Sequence, residues 1–272
     1  MQKKIKHSVK KVFVVGNGKS ITNIDLSPLL KLGRVYGCGF IYKYHKINSL
    51  VNIDPKRSHS IYHSGYPIDN KCYFFSWVSL PESNYDKLIS AIDDCEIIEN
   101  KKEDSKEFVI HATEKTRQVF SSAFWKTIKK EIQEELLQSK FLEWKKRGFL
   151  PKEIYISWIK KDKVVNINSC YSNSGCTALN LACEIEKPQQ VYMLGMDANR
   201  YNDPVKVDHK VIEGYYLPHK WNESKKIIFK KYPNIEFIQV NKNRPEEWEG
   251  VKNLKYMDNG KNLKYIDNIK EK

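Results

Sequence analysis

The stretch Val12–Ile21, VFVVGNGKSI, constrains the fold more than any other part of the chain. Four apolar residues run without a polar break into Gly16-Asn17-Gly18-Lys19-Ser20. Such a run has no wet face, so both faces must be covered, as for a parallel strand between helices. The glycines that follow mark a tight turn at the strand's end. Spacing excludes two familiar phosphate-binding loops. A Walker A loop needs a glycine five residues before its Gly-Lys-Ser, where this chain has Phe13. A dinucleotide fingerprint needs a third glycine where this chain has Ile21. Two readings of the turn stay open: backbone N–H groups that face an anion, or glycine supplying a conformation other residues resist.

The same pattern recurs. RVYGCG (Arg34–Gly39), SLVNID (Ser49–Asp54), QVYMLGMD (Gln190–Asp197) and IEFIQV (Ile235–Val240) read as strands. IDLSPLLKLG (Ile24–Gly33), NSGCTALNLACEIE (Asn173–Glu186) and ESKKIIFKKYP (Glu223–Pro233) read as helices, the second capped by its opening Asn or Ser. The expected fold is therefore α/β and Rossmann-like, a mainly parallel sheet flanked by helices. In the middle, YFFSWVSL (Tyr73–Leu80) reads as one strand, Asn84–Cys95 as a helix, Glu99–Lys106 as a charged loop, and EIYISWI (Glu153–Ile159) as a strand near an edge. Phe124, Ile128, Ile132 and Leu136 recur every fourth residue, which predicts a helix within 120–147. We expect a Rossmann-like domain over 1–245 with a helical insertion at 80–150. Residues 246–272 are expected to form a C-terminal appendage. There NLKYMDN (Asn253–Asn259) recurs as NLKYIDN (Asn262–Asn268), two copies being too few for a solenoid.

The formal net charge of +14 admits an anionic partner: nucleic acid, a membrane surface or a phosphorylated substrate. Lysine, asparagine, isoleucine and tyrosine are abundant along the whole chain, as in proteins of AT-rich genomes, and no nucleic-acid-binding motif appears. We read the charge first as compositional bias and second as a sign of an acidic ligand, and not as a nucleic-acid footprint. The six cysteines form no C-x-x-C pair, which argues against zinc. No run reaches the ~20 apolar residues of a membrane span. The opening MQKKIKHSVKK lacks the apolar stretch of a signal peptide. A cytoplasmic protein is expected, with contact to a membrane or anionic surface left open.

Four pieces stand in order along the chain: Val15-Gly16-Asn17-Gly18-Lys19-Ser20, Val51-Asn52-Ile53-Asp54-Pro55, Asn173-Ser174-Gly175 and Tyr192-Met193-Leu194-Gly195-Met196-Asp197. In this order they resemble the bacterial sialyltransferases of glycosyltransferase family 42 and their Rossmann-like relatives. Those relatives include the 6-hydroxymethylpterin pyrophosphokinase-like group (domain of unknown function 115) and bacteriophage proteins. Tyr216-Leu217-Pro218-His219 is similar to a Y-x-x-H segment of the sialyltransferases. The resemblance covers 1–55 and 170–240. It implies metal-independent transfer of a sugar from a nucleotide-activated donor, a CMP-sugar being favoured, to a glycan acceptor, with no further cofactor. It further implies that Gly16, Asn17, Gly18 and Ser20 meet the nucleotide from the first loop and Asn52 and Asp54 from the third strand. Ser174 and Gly175 would bind it at a helix N-terminus, and Asp197 at a strand end. His219 would be the catalytic base, with Tyr216 or Tyr201 on the leaving phosphate.

The chain also departs from that pattern. Cys38 is followed by Gly39 where the sialyltransferases have an asparagine, and Asp197 by Ala198-Asn199-Arg200 where they soon have tyrosines. Each residue has a plainer reading too: Asn17 as a turn former, Asp54 as a strand terminator, Ser174 as a helix cap, His219 as a surface histidine no more privileged than His59, His63, His111 or His209. Two other functions stay open. One is a magnesium-dependent pyrophosphokinase-like enzyme using Asp54 and Asp197. The other is a non-catalytic Rossmann-like module of phage type.

Overall fold

The computed structural model describes residues 10–21, 24–75, 77, 79–90, 95–100, 104–112, 153–197, 218–241 and 244–257. They divide into two compact units, Met1–Val51 with Tyr171–Lys272, and Asn52–Cys170. Along the chain the described elements begin with β1 (Lys11–Val15), α1 (Leu29–Leu32), β2 (Arg34–Cys38), β3 (Ser49–Asn52), α2 (Pro55–His63) and α3 (Tyr66–Asp69). Next come β4 (Cys72–Phe75), β5 (Ser79–Pro81), α4 (Tyr85–Ser90), β6 (Glu96–Glu99), β7 (Glu107–Ala112), β8 (Glu153–Trp158) and β9 (Val164–Ile167). The chain then forms α5 (Ser174–Glu186), β10 (Gln190–Leu194), α6 (Pro218–Lys231), β11 (Glu236–Val240) and β12 (Leu254–Tyr256).

The first unit is built on a parallel sheet in the order β12-β11-β10-β1-β2-β3. Its fold is α/β and Rossmann-like. From β1 the chain steps one way to β2 and β3, and from β10 the other way to β11 and β12. This is the doubly wound 3-2-1-4-5-6 order, whose direction reverses between β1 and β10. The unbroken apolar runs explain it: Val12–Val15 and Val191–Leu194 are fully buried. Phe13 stacks on Tyr192 at 5.2 Å across the β1/β10 pair. α6 packs on β11, Phe229 meeting Phe237 at 4.7 Å and Trp248 edge-on at 5.6 Å.

Several expectations are corrected here. α6 starts at Pro218, not Glu223, because proline suits the first helical position, where no N–H is needed. Residues 246–257, expected to belong to an appendage, bury Trp248 and supply β12, which pairs with β11. The second copy of the repeat lies outside the described residues.

The second unit holds the parallel pair β4/β9 and a four-stranded sheet in the order β5-β7-β8-β6. Tyr73–Leu80 is not one strand. It divides into β4 and β5, with Trp77 between them giving its N–H to Asn166 Oδ1 (2.8 Å) instead of to a ladder. β8 is an inner strand, one place from the edge strand β6. Its alternating Tyr155 and Ser157 suggest a wet face, but α2 covers them: His59 Nδ1 lies 2.7 Å from Ser157 Oγ, and the His59 ring is 5.1 Å from that of Tyr155. The described part of the expected helical insertion holds more strand than helix: β6, β7 and the end of β5 as well as the short α4. The helix expected within 120–147 lies outside the described residues.

Two predictions follow from this packing. Phe229→Ala removes an aromatic shared by α6, β11 and Trp248 and is expected to lower the unfolding free energy by about 3–5 kcal/mol in urea. His59 is buried, and that burial, helped by the neighbouring His63, holds its imidazole near pKa 4 against an ordinary 6.5. The folded state therefore takes up this proton less readily than the unfolded chain. The stability it contributes is complete above pH 6.5 and declines as the pH falls towards 4. The loss is on the order of 3 kcal/mol. Urea titrations across that window should show the decline in the wild type and a flatter profile in His59→Gln.

Candidate functional site

The carboxyl ends of β1 and β10 meet at the point where strand order reverses, the place at which open α/β sheets bind ligands. Two loops are sewn together there. Gly16 N–H donates to Leu194 O (2.8 Å) and Gly18 N–H to Gly195 O (2.7 Å). The glycines are required by this approach. A Cβ on Gly16 would stand 2.4 Å from Gly195 O, and one on Gly18 would stand 2.4 Å from Asp197 Oδ2. Gly195 itself has φ +61° and would press a Cβ to 2.7 Å from Gly16 O.

Asp197 closes the seam. Its Oδ2 accepts from Ser20 N–H (2.9 Å), and its Oδ1 accepts from Ser20 Oγ (2.6 Å) and from Asn241 Nδ2 (2.7 Å). The first loop does hold an anion, and that anion is the protein's own carboxylate. The N–H groups of Gly16, Gly18 and Ser20 are all engaged within the protein. Asn17 lies between them. Its Oδ1 is buried and accepts no hydrogen bond among the described residues.

α5 starts beside this seam. A Cβ on Gly175 would meet Met196 Cε at 3.3 Å and Cys38 Sγ at 3.8 Å. The capping residue is Asn173, whose Oδ1 accepts from Cys176 N–H (2.8 Å). Ser174 and Gly175 are thus the first two helical residues, and Ser174 is not the cap. Amides in a first turn point along the helix axis and favour anions. The start of α6 is tied to the same place: Ser172 Oγ donates to Lys220 O (3.3 Å), and Cys176 Sγ donates to Trp221 O (3.6 Å). His219 is exposed on that first turn of α6. Burial pushes the Cys176 thiol up to about 11, so it is not a thiolate nucleophile at neutral pH.

The structure therefore brings together Gly16, Asn17, Gly18, Ser20, Ser174, Gly175 and Asp197 in the first unit. Asn52 and Asp54 belong to the second unit and have local work. Asn52 Nδ2 donates to Asp54 O and Ser58 Oγ, both at 2.7 Å, and Asp54 caps α2 by accepting from Arg57 N–H (2.8 Å). Tyr201 and Tyr216 lie outside the described residues. Gly39 has φ +60°, a conformation asparagine also tolerates, so the backbone does not by itself demand glycine there. Among the described residues, no group of three His, Cys, Asp or Glu side chains is placed to hold a metal ion.

Two residues at this edge are not singled out by motif reading. Asn241 directly follows β11 as a polar residue ending an apolar strand, the same signal that marks Asp197. Lys225 is 2% exposed, and its Nζ donates to Met196 O (2.7 Å). Its signal is its spacing: it falls on the buried stripe of α6 with Ile228 and Phe229. The chain matches no family model, no curated protein and no solved structure.

The clamp can be tested without a ligand. Asp197→Ala strands Ser20 and Asn241 together and is expected to cost about 2–4 kcal/mol of stability. Gly18→Ala forces the two loops apart and is expected to cost about 1–3 kcal/mol. Urea unfolding followed by tryptophan fluorescence reads both.

Proposed function

We propose that this protein is a glycosyltransferase of the sialyltransferase type that binds a nucleotide-activated sugar, a CMP-sugar by preference, where strand order reverses between β1 and β10. The observation that carries this reading is the convergence, at that one edge, of the glycine turn after β1, the start of α5 and the end of β10. The donor phosphate sits at the first turn of α5, where Ser174 and Gly175 contribute amides and a hydroxyl. The buried Asn17 Oδ1 accepts from a nucleotide N–H or O–H donor and so acquires a partner. The bond between the sugar and its phosphate breaks, and the acceptor oxygen bonds to the sugar. The acceptor proton passes to His219, and the nucleoside monophosphate leaves. Tyr216 and Tyr201 complete the proposal as donors to the leaving phosphate. No metal is required in this scheme.

One observation favours a second reading. Asp197 and the carbonyls of Leu194 and Gly195 already occupy the first loop's alternate N–H groups. A non-catalytic Rossmann-like module would look the same at that loop.

Calorimetric titration with CMP, CDP, UMP, GDP and ATP, with and without magnesium, separates these readings. The expected result is metal-independent binding of a cytidine nucleotide, weakened about tenfold in Asn17→Ala, or ~1.4 kcal/mol, with unfolding midpoint unchanged. Magnesium-dependent ATP binding would move the assignment to pyrophosphate transfer. No nucleotide binding would leave the non-catalytic module.

A further inference from the structure

Lys225 is the least expected residue of the first unit. It is 2% exposed, its hydrogen bond goes to the Met196 carbonyl, and its ammonium lies 5.0 Å from the centre of the Trp248 ring. Burial disfavours the charged form of this amine, while the carboxylate of Asp197 favours it. A charge inside a protein costs several kcal/mol unless something compensates it.

Several buried polar side chains share its stretch of α6 and β11: Asn222, Ser224 and Gln239. Phe229 of α6 packs on Phe237 of β11. Lys225 lies one helical turn before Phe229, towards the carboxyl edge of the sheet, and Gln239 lies two residues beyond Phe237 in the same direction. The two side chains therefore lie at one level. Gln239 is fully buried, and neither its Oε1 nor its Nε2 has a hydrogen-bond partner among the described residues. The same holds for Oδ1 of Asn222, about one turn before Lys225 on α6. Lys225 links this part of α6 to the Met196 carbonyl, next to Asp197.

A fixed carboxylate at the edge of a phosphate site repels the phosphate it should admit. We propose that Lys225 is the buried counter-charge of Asp197, and that it neutralises the strand-end clamp so that the edge accepts an anionic ligand of the nucleotide-phosphate class. The inference rests on the proposed nucleotide site for its functional half. The charge pair itself does not need a ligand.

The experiment is a double-mutant cycle over Lys225→Met and Asp197→Asn, read twice. In urea without ligand, the double variant is expected to lose clearly less stability than the sum of the single variants. Additive losses would overturn the charge pair. With CMP in the calorimeter, Lys225→Met is expected to weaken binding at least tenfold, and adding Asp197→Asn should return most of that affinity. Lys225→Arg, which keeps the charge, should bind within a few-fold of the wild type. A double variant as weak as Lys225→Met would overturn the electrostatic role and leave Lys225 acting through shape. If the wild type binds no CMP while the urea cycle shows coupling, the nucleotide reading and the ligand half fall together and the charge pair stands.

Discussion

The seam between the β1 and β10 loops is the contact on which the first unit depends. Parallel strands that leave in opposite directions along a sheet tend to open a crevice between their exit loops. Here Gly16 and Gly18 let one loop lie against Gly195 in the other, and Asp197 locks the contact through Ser20 and Asn241. The result is a rigid edge whose amides are largely committed. In the proposed site, recognition of an anion therefore rests on the helix starts and on buried side chains, not on the glycine turn.

That shift gives the buried polar groups their meaning. Asn17 Oδ1, Gln239 and Asn222 Oδ1 are hidden from solvent with hydrogen-bonding capacity left over. Buried polar groups are costly when unpaired, and on our proposal the ammonium of Lys225 and the carboxylate of Asp197 offset that cost for each other. The second unit pairs some of its buried polar atoms, His59 with Ser157 and Asn100 Oδ1 with Trp158 N–H (2.6 Å), while Asn84 Nδ2 and Asp162 Oδ2 have no hydrogen-bond partner among the described residues.

The strands of the first unit were legible because continuous apolar runs leave few alternatives to a covered parallel sheet. Asn173–Glu186 was legible because a cap, small apolar residues and a following proline agree. The start of α6 was not, because Pro218-His219 reads as a motif fragment and the buried stripe carries a lysine. The full burial of β8 was not legible, because Tyr155 and Ser157 alternate with isoleucines as in a half-wet strand, while α2 covers that side. Asp197 stood out as an acid with no packing reason to end an apolar strand. Its three donors come from Ser20 and Asn241, 177 and 44 residues away in sequence.

The sequence by itself determined the strand runs of the first unit, the glycine turn, a capped start for α5 that it left between Asn173 and Ser174, and the exclusion of two phosphate-loop types, because each depends on neighbours within a few residues. The tertiary structure decided the strand order, the closure of the first loop on Asp197 and the burial of Lys225. It also gave β12 its place at the sheet's edge. These depend on which distant segments share a boundary, and a one-dimensional pattern of polarity carries no term for that.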